Sequence, residues 1–264
     1  MEKENFWQNL KKPIIAVAPM DGVTDNAFRS ILKQAGADLV YSEFVSVDGI
    51  FHAPQRMEPT MAFTEEQRPY ITQIFGKKPD MFKHAAGVVA ELGASGVDIN
   101  FGCPSKKVVA HGSGVKLMTN LDLVYDIVKS TIEGAKGIPV SIKIRAGINI
   151  KPEDQEKRDA GEVEKITAIQ MIDHIKDLDF KAIMIHGRTY EQGFIGDLDL
   201  EQIKGIKEIV GDKIVLVNGG ITSPEIAKDI LEKTGVDGIG IGRGVFGKPW
   251  LCQQIKDYLA TGEY

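Results

Sequence analysis

Residues 214–244 read IVLVNGGITSPEIAKDILEKTGVDGIGIGRG, and they hold one complete repeat of the pattern that decides the fold. Ile214 to Asn218 is an apolar run of strand length that stops at an asparagine and two glycines. Ser223, followed by Pro224 and Glu225, starts a helix, because serine caps the free backbone N–H groups and proline needs none of its own. That helix, Ser223 to Glu232, carries apolar residues at threes and fours, and Gly238 to Ile241 then opens a second apolar run, closed by Gly242. Working back along the chain, the same unit recurs. Strand-length runs cover Ile14 to Ala18, Leu39 to Ser42, Tyr70 to Ile74, Val97 to Asn100, Val140 to Ile144 and Ala182 to His186, which makes eight in all. Helical candidates between them include Pro79 to Leu92, Leu121 to Glu133, Glu162 to Asp177 and Leu200 to Val210.

Eight such units fit a closed barrel or an open doubly wound sheet, since both bury parallel strands under helices. The polar residues separate the two. A barrel places its chemistry at the C-terminal ends of many strands, whereas an open sheet gathers it at one switch point. Nearly every run here ends in a polar or special residue: Pro19 and Met20, Glu43, Gln73, Asn100 and Cys103, Lys143 and Arg145, His186 and Arg188, Asn218, then Gly242 and Arg243. No GxGxxG follows the first run. The expected fold class is therefore α/β, a (β/α)8 TIM barrel, in a single domain over residues 1–264. The one long polar connection, Asn149 to Lys165, is expected as a solvated loop, with a lid over the barrel mouth as the sharper alternative.

The composition of the 264 residues, 43% hydrophobic and 26% charged, is that of a soluble globular protein. No run approaches the roughly 18 apolar residues a membrane span needs, and Met1 to Lys12 lacks the apolar core of a signal peptide. A cytoplasmic protein with no membrane partner is expected. Cys103 and Cys252 are the two cysteines; they form no CxxC, so neither a disulfide framework nor a metal site is expected. A formal charge of −5 argues against coating nucleic acid by bulk electrostatics, so RNA binding would rest on local patches.

Three stretches carry candidate chemistry. The glycine loops at Asn218-Gly219-Gly220 and Gly242-Arg243 close adjacent strands, where backbone N–H groups and an arginine suit a phosphate. Lys143 and Arg145 alternate with Ile142 and Ile144, so both cations share the inner face. Two cations there call for an anion, such as a reduced flavin ring; a structural pairing of Lys143 with Glu43 or Asp98 is the plainer alternative. Asn100-Phe101-Gly102-Cys103-Pro104 puts a thiol at the active face, with Lys106 and Lys107 close behind. A thiol with an ordinary pKa of about 8.5 is a proton donor at neutral pH, whereas nearby cations would favour a thiolate nucleophile, and the residues leave both open. Cys252, among Trp250, Leu251 and Ile255, reads as core.

Taken in order, residues 18–25 (APMDGVTD), Ser42-Glu43-Phe44, 73–76 (QIFG), 100–104 (NFGCP), Lys143-Ile144-Arg145, 186–189 (HGRT), Asn218-Gly219-Gly220 and Gly242-Arg243 resemble the tRNA-dihydrouridine synthase family. The match runs over nearly the whole chain. The resemblance implies an FMN-bound barrel, reduced by NADPH, that reduces the C5–C6 bond of a uridine in tRNA. It places FMN contacts at Pro19, Met20, Gln73, Lys143, His186, Asn218, Gly219, Gly220, Gly242 and Arg243, and the catalytic proton donor at Cys103. It also implies base or phosphate contacts at Asn100, Arg145 and Arg188, with Lys106 and Lys107 along a tRNA backbone. Family members usually continue into a helical tRNA-gripping domain, and the chain is expected to lack it. Two other readings remain: an FMN barrel acting on a free pyrimidine or small enone, and a module that binds tRNA or flavin without catalysis.

Overall fold

The computed structural model describes residues 5–150 and 165–264. Eight parallel strands close on themselves: β1 (Ile14–Val17), β2 (Leu39–Tyr41), β3 (Tyr70–Phe75), β4 (Gly96–Asn100), β5 (Val140–Arg145), β6 (Ala182–His186), β7 (Ile214–Asn218) and β8 (Gly238–Ile241). The seam pairs Ile14 with Gly238 and Val17 with Ile241 in register. A Cβ on Gly238 would lie 2.2 Å from the Ile14 carbonyl oxygen, so glycine is what lets the last strand meet the first. Helices cover the outside, among them Pro79–Glu91, Leu121–Gly134, Leu200–Val210 and Pro224–Thr234. In the unit read first, Ser223 accepts from the Ile226 N–H, and Gly235 ends the helix at φ +64°.

The outward residues of the strands, such as Val97, Ile99, Ile142, Ile144, Ile183 and Ile185, are buried under the helices. The inward residues change character along each strand. At the N-terminal end Ile14, Ala16, Leu39, Tyr41, Ile71, Met184 and Leu216 form a separate apolar cluster, which Trp7 from the short helix Phe6–Asn9 closes from below. At the C-terminal end the same face carries Gln73, Asn100, Lys143, Arg145, His186 and Asn218. The barrel is thus plugged at one end and polar at the other.

Two stretches differ from expectation. The helix expected from Glu162 begins at Ala168 and ends at Ile175. Thr167 and Gln170 form a reciprocal capping box that fixes the start. Before it, Lys165–Thr167 pairs antiparallel with Gly147–Asn149, burying Ile148 and Ile166. Residues 151–164 of the polar connection, on which the choice between loop and lid depends, lie outside the described residues. After β2, the chain forms a two-residue strand, Val45–Ser46, and two short helices, Val47–His52 and Pro54–Met61, that the hydrophobic pattern did not reveal. No helix among the described residues is long and apolar enough to cross a membrane.

Candidate active site

A cavity of about 590 Å³ opens at the C-terminal end of the barrel. It brings together Pro19, Met20, Gln73, Asn100, Cys103, Lys143, Arg145, His186, Arg188, Asn218, Gly219, Gly220, Gly242 and Arg243, from seven different strand ends. Two of the candidate residues stand apart. Lys106 and Lys107 are exposed on the short helix Lys106–Ala110, outside the cavity lining.

Lys143 and Arg145 point inward together, as the alternation on β5 requires. Lys143 does not pair with either carboxylate considered for it. Its Nζ donates to Asn218 Oδ1 at 3.1 Å, while Glu43 accepts from the Gly22 N–H at 2.6 Å and Asp98 accepts from Gln73 and Ser141. Arg145 is buried and fastens two loops: Nε donates to the Gly102 carbonyl at 3.0 Å, and Nη1 to the carbonyls of Thr189 and Gly193. Arg188 Nε donates to the Gly196 carbonyl at 2.6 Å. Among the described residues no carboxylate forms an ion pair with Lys143, Arg145, Arg188 or Arg243.

The electrostatics follow from that one-sided charge. Burial, reinforced by Arg145, lowers Lys143 to about 8, and burial lowers Arg145 to about 10. Burial and the four surrounding cations push His186 down to about 2, so its ring is neutral. Its Nδ1 accepts from the Arg188 N–H at 3.3 Å, which assigns the ring proton to Nε2. Burial is the largest effect on Cys103 and raises its pKa, outweighing Lys143 and Arg145. Of the two roles open for Cys103, the structure therefore favours a protonated thiol over a thiolate.

These features suit a flavin phosphate and ring. The cations need an anion, His186 offers a neutral N–H donor, and the glycine loops leave room for one. Gly219 and Gly220 take φ of +114° and +68°, and a Cβ on Gly242 would find only Met20 Sδ at 3.8 Å and Asn218 Nδ2 at 3.9 Å. No cluster of three metal-binding side chains occurs among the described residues.

The sequence reading missed Phe194, an exposed aromatic at the cavity wall whose ring lies 4.3 Å from the Arg243 guanidinium and 5.4 Å from that of Arg145. Only its place between Gly193 and Gly196 in the connection after β6 hinted at it. Ser141 and Asp98 were not read as site residues either, although each shares the inward parity of a residue that was.

The family model for dihydrouridine synthase matches residues 16–264. The chain belongs to the dihydrouridine synthase family. It is similar to a probable tRNA-dihydrouridine synthase of Rickettsia conorii, 39% identical over 254 residues that cover 94% of this chain and 71% of the relative. It is also similar to tRNA-dihydrouridine synthase B of Pseudomonas syringae pv. tomato, 36% identical over 249 residues, 94% of this chain and 69% of that one. Among solved structures, TcOYE with pHBA superposes with a TM-score of 0.65 over 92% of this chain and 88% of the other at 11% identity, a likeness of fold. The chain is accordingly an enzyme of a flavin-dependent oxidoreductase family with the barrel architecture read from its strand ends.

Proposed function

We propose that this enzyme reduces the C5–C6 double bond of a uridine in tRNA, with FMN as its flavin and NADPH as the reductant. The observation that carries the proposal is the Cys103 thiol, half-buried, its pKa raised by burial, in the same cavity as four cations that form no ion pair with a carboxylate among the described residues. The names of the relatives supply the substrate class.

Gly219, Gly220, Gly242 and Arg243 would hold the FMN phosphate; Pro19, Met20, Gln73, Lys143, His186 and Asn218 would hold its ring. The chemistry that a bound flavin would supply there, once reduced by NADPH, is a hydride for C6 of the uracil. Cys103 gives its thiol proton to C5, so that one hydride and one proton complete the saturated bond, and the thiolate is reprotonated from solvent. The positive charge of Lys143 would stabilise the negative charge that the flavin ring carries once reduced. Asn100, Arg145 and Arg188 would bound the uracil and its phosphate. Much of their hydrogen-bonding capacity is already committed to loops, which makes them walls more than free ligands. Lys106 and Lys107 lie outside the cavity, where a tRNA backbone would pass.

The test is anaerobic. Protein purified with its flavin is reduced with NADPH, freed of excess reductant and mixed with unmodified tRNA or with free uridine. Rapid reoxidation by tRNA alone, with dihydrouridine in the product, is the expected result. Reoxidation by free uridine and not by tRNA would replace the proposal with a small-molecule reductase.

A further inference from the structure

Asp98 sits two residues before Asn100 on β4, so both side chains face the barrel interior, and Asp98 is wholly buried below the cavity. Its Oδ2 accepts from Gln73 Nε2 at 2.7 Å and its Oδ1 from Ser141 Oγ at 2.6 Å. Gln73 then presents Oε1 to Asn100, whose Nδ2 donates to it at 2.9 Å. That leaves Asn100 Oδ1 for the loop, where it accepts the backbone N–H groups of Gly102 at 3.1 Å and Cys103 at 2.8 Å.

The order of this chain is forced by chemistry. An amide has one donor end and one acceptor end, so fixing the direction of Gln73 fixes that of Asn100. Turning Gln73 over would set its carbonyl oxygen against a carboxylate, acceptor against acceptor. Reversing Asn100 would set its NH2 against two N–H donors. A buried mispairing of either kind is heavily disfavoured. We propose that Asp98 is the positioning residue for Cys103: by accepting from Gln73 it sets the sense of the Gln73–Asn100 relay that anchors the Cys103 backbone. The inference rests on the reading of Cys103 as the proton donor, and it concerns where the thiol is held, not a proton passed along the relay.

The geometry of the foot suggests how to separate this role from simple burial. An asparagine can replace the acid there, its carbonyl oxygen accepting from Gln73 while its amide donates to Ser141. The Ser141 hydroxyl is then free to turn toward Tyr41, with which it already interacts. Alanine offers Gln73 nothing.

The experiment measures the rate of iodoacetamide alkylation at Cys103 by peptide mass spectrometry, on flavin-loaded wild type, Asp98→Ala, Asp98→Asn and Gln73→Leu. Cys252 is fully buried and does not compete. Asp98→Ala and Gln73→Leu are expected to raise the rate about threefold or more, with the double variant no further changed than either single one. Asp98→Asn should stay within about twofold of wild type, and the Asp98→Ala turnover should fall about tenfold with KM for tRNA little changed. Asp98→Ala alkylating at the wild-type rate, or Asp98→Asn behaving like alanine, would overturn the proposal. If Asp98→Ala does not fold, Gln73→Leu breaks the same relay one step higher, and a wild-type rate there overturns it equally. A wild-type protein that makes no dihydrouridine sinks the functional reading instead, while the alkylation rates still decide the relay.

Discussion

The barrel has two interiors built from the same strands. On β6, Ala182 and Met184 face the apolar cluster at the bottom, and His186, two residues on, faces the cavity. On β7, Ile214 and Leu216 give way to Asn218 in the same way. Inward parity is constant along a strand, so one step of two residues converts packing into chemistry. In the lower interior the clustered side chains are aliphatic and aromatic and gain by taking apolar surface out of water. The upper one holds Lys143 and Arg145 at lowered pKa values, which is a standing cost of burying charge without an anion. The lower half and the sheet–helix layer stabilise a fold whose upper half is kept in a state suited to a ligand.

The two halves should separate under mutation. Cys103→Ala alters only the upper half, and dihydrouridine formation is expected to fall by about 10²–10⁴-fold, the usual contribution of a positioned proton donor. The melting temperature and flavin content should hardly change, because the thiol is only half-buried. Initial rates, a thermal scan and the flavin absorbance check this, and a rate close to wild type would move the proton donor elsewhere. Trp7→Ala acts at the opposite end. Trp7 is 1% exposed against the lower cluster, and its truncation is expected to destabilise the protein by about 3–5 kcal/mol in urea titrations. Turnover per folded molecule should stay the same. If it drops in parallel with stability, the two interiors are not independent.

The same division explains what the sequence disclosed. Strands β6, β7 and β8 are found where their apolar runs begin and end, because strands buried on both faces show as continuous apolar runs. The polar residues that stop those runs are the ones that line the cavity. The connection after β2 was harder to read. Asp48, Gly49 and His52 interrupt any apolar period, and the helices there are set by local caps, Ser46 on the Gly49 N–H and Pro54 at a first turn. Residues 165–167 belong to a hairpin whose partner strand lies across the long polar connection, and such pairing leaves no local signal. Asp98 entered the sequence reading only as a possible partner for Lys143, and its place beside Asn100 was legible by parity alone. Its function depends on hydrogen bonds to Gln73 and Ser141, which are distant in sequence.

Lys143 offers a finer test of the cost carried by the upper interior. In the folded protein it titrates near 8, below the ordinary lysine value of 10.5, chiefly because it is buried. Between those two values the unfolded chain keeps its proton while the folded one has released it. Stability of the flavin-free protein should therefore rise with pH across that window and carry its full penalty below about 8. Allowing for solvent in the open cavity, the change should be on the order of 2 kcal/mol. Other groups titrate in the same range, so the quantity to measure is the difference between wild type and Lys143→Met in urea unfolding from pH 7 to 10.5. The variant should be the more stable at pH 7 and lose that advantage as pH rises. Its FMN affinity, measured separately, should be lower than that of wild type below about pH 8 and approach it as pH rises, because the charge that destabilises the flavin-free protein is the charge proposed to hold the ring. A constant stability difference across the window would mean that Lys143 already has its counter-charge within the protein, and that the upper interior is not waiting for an anion.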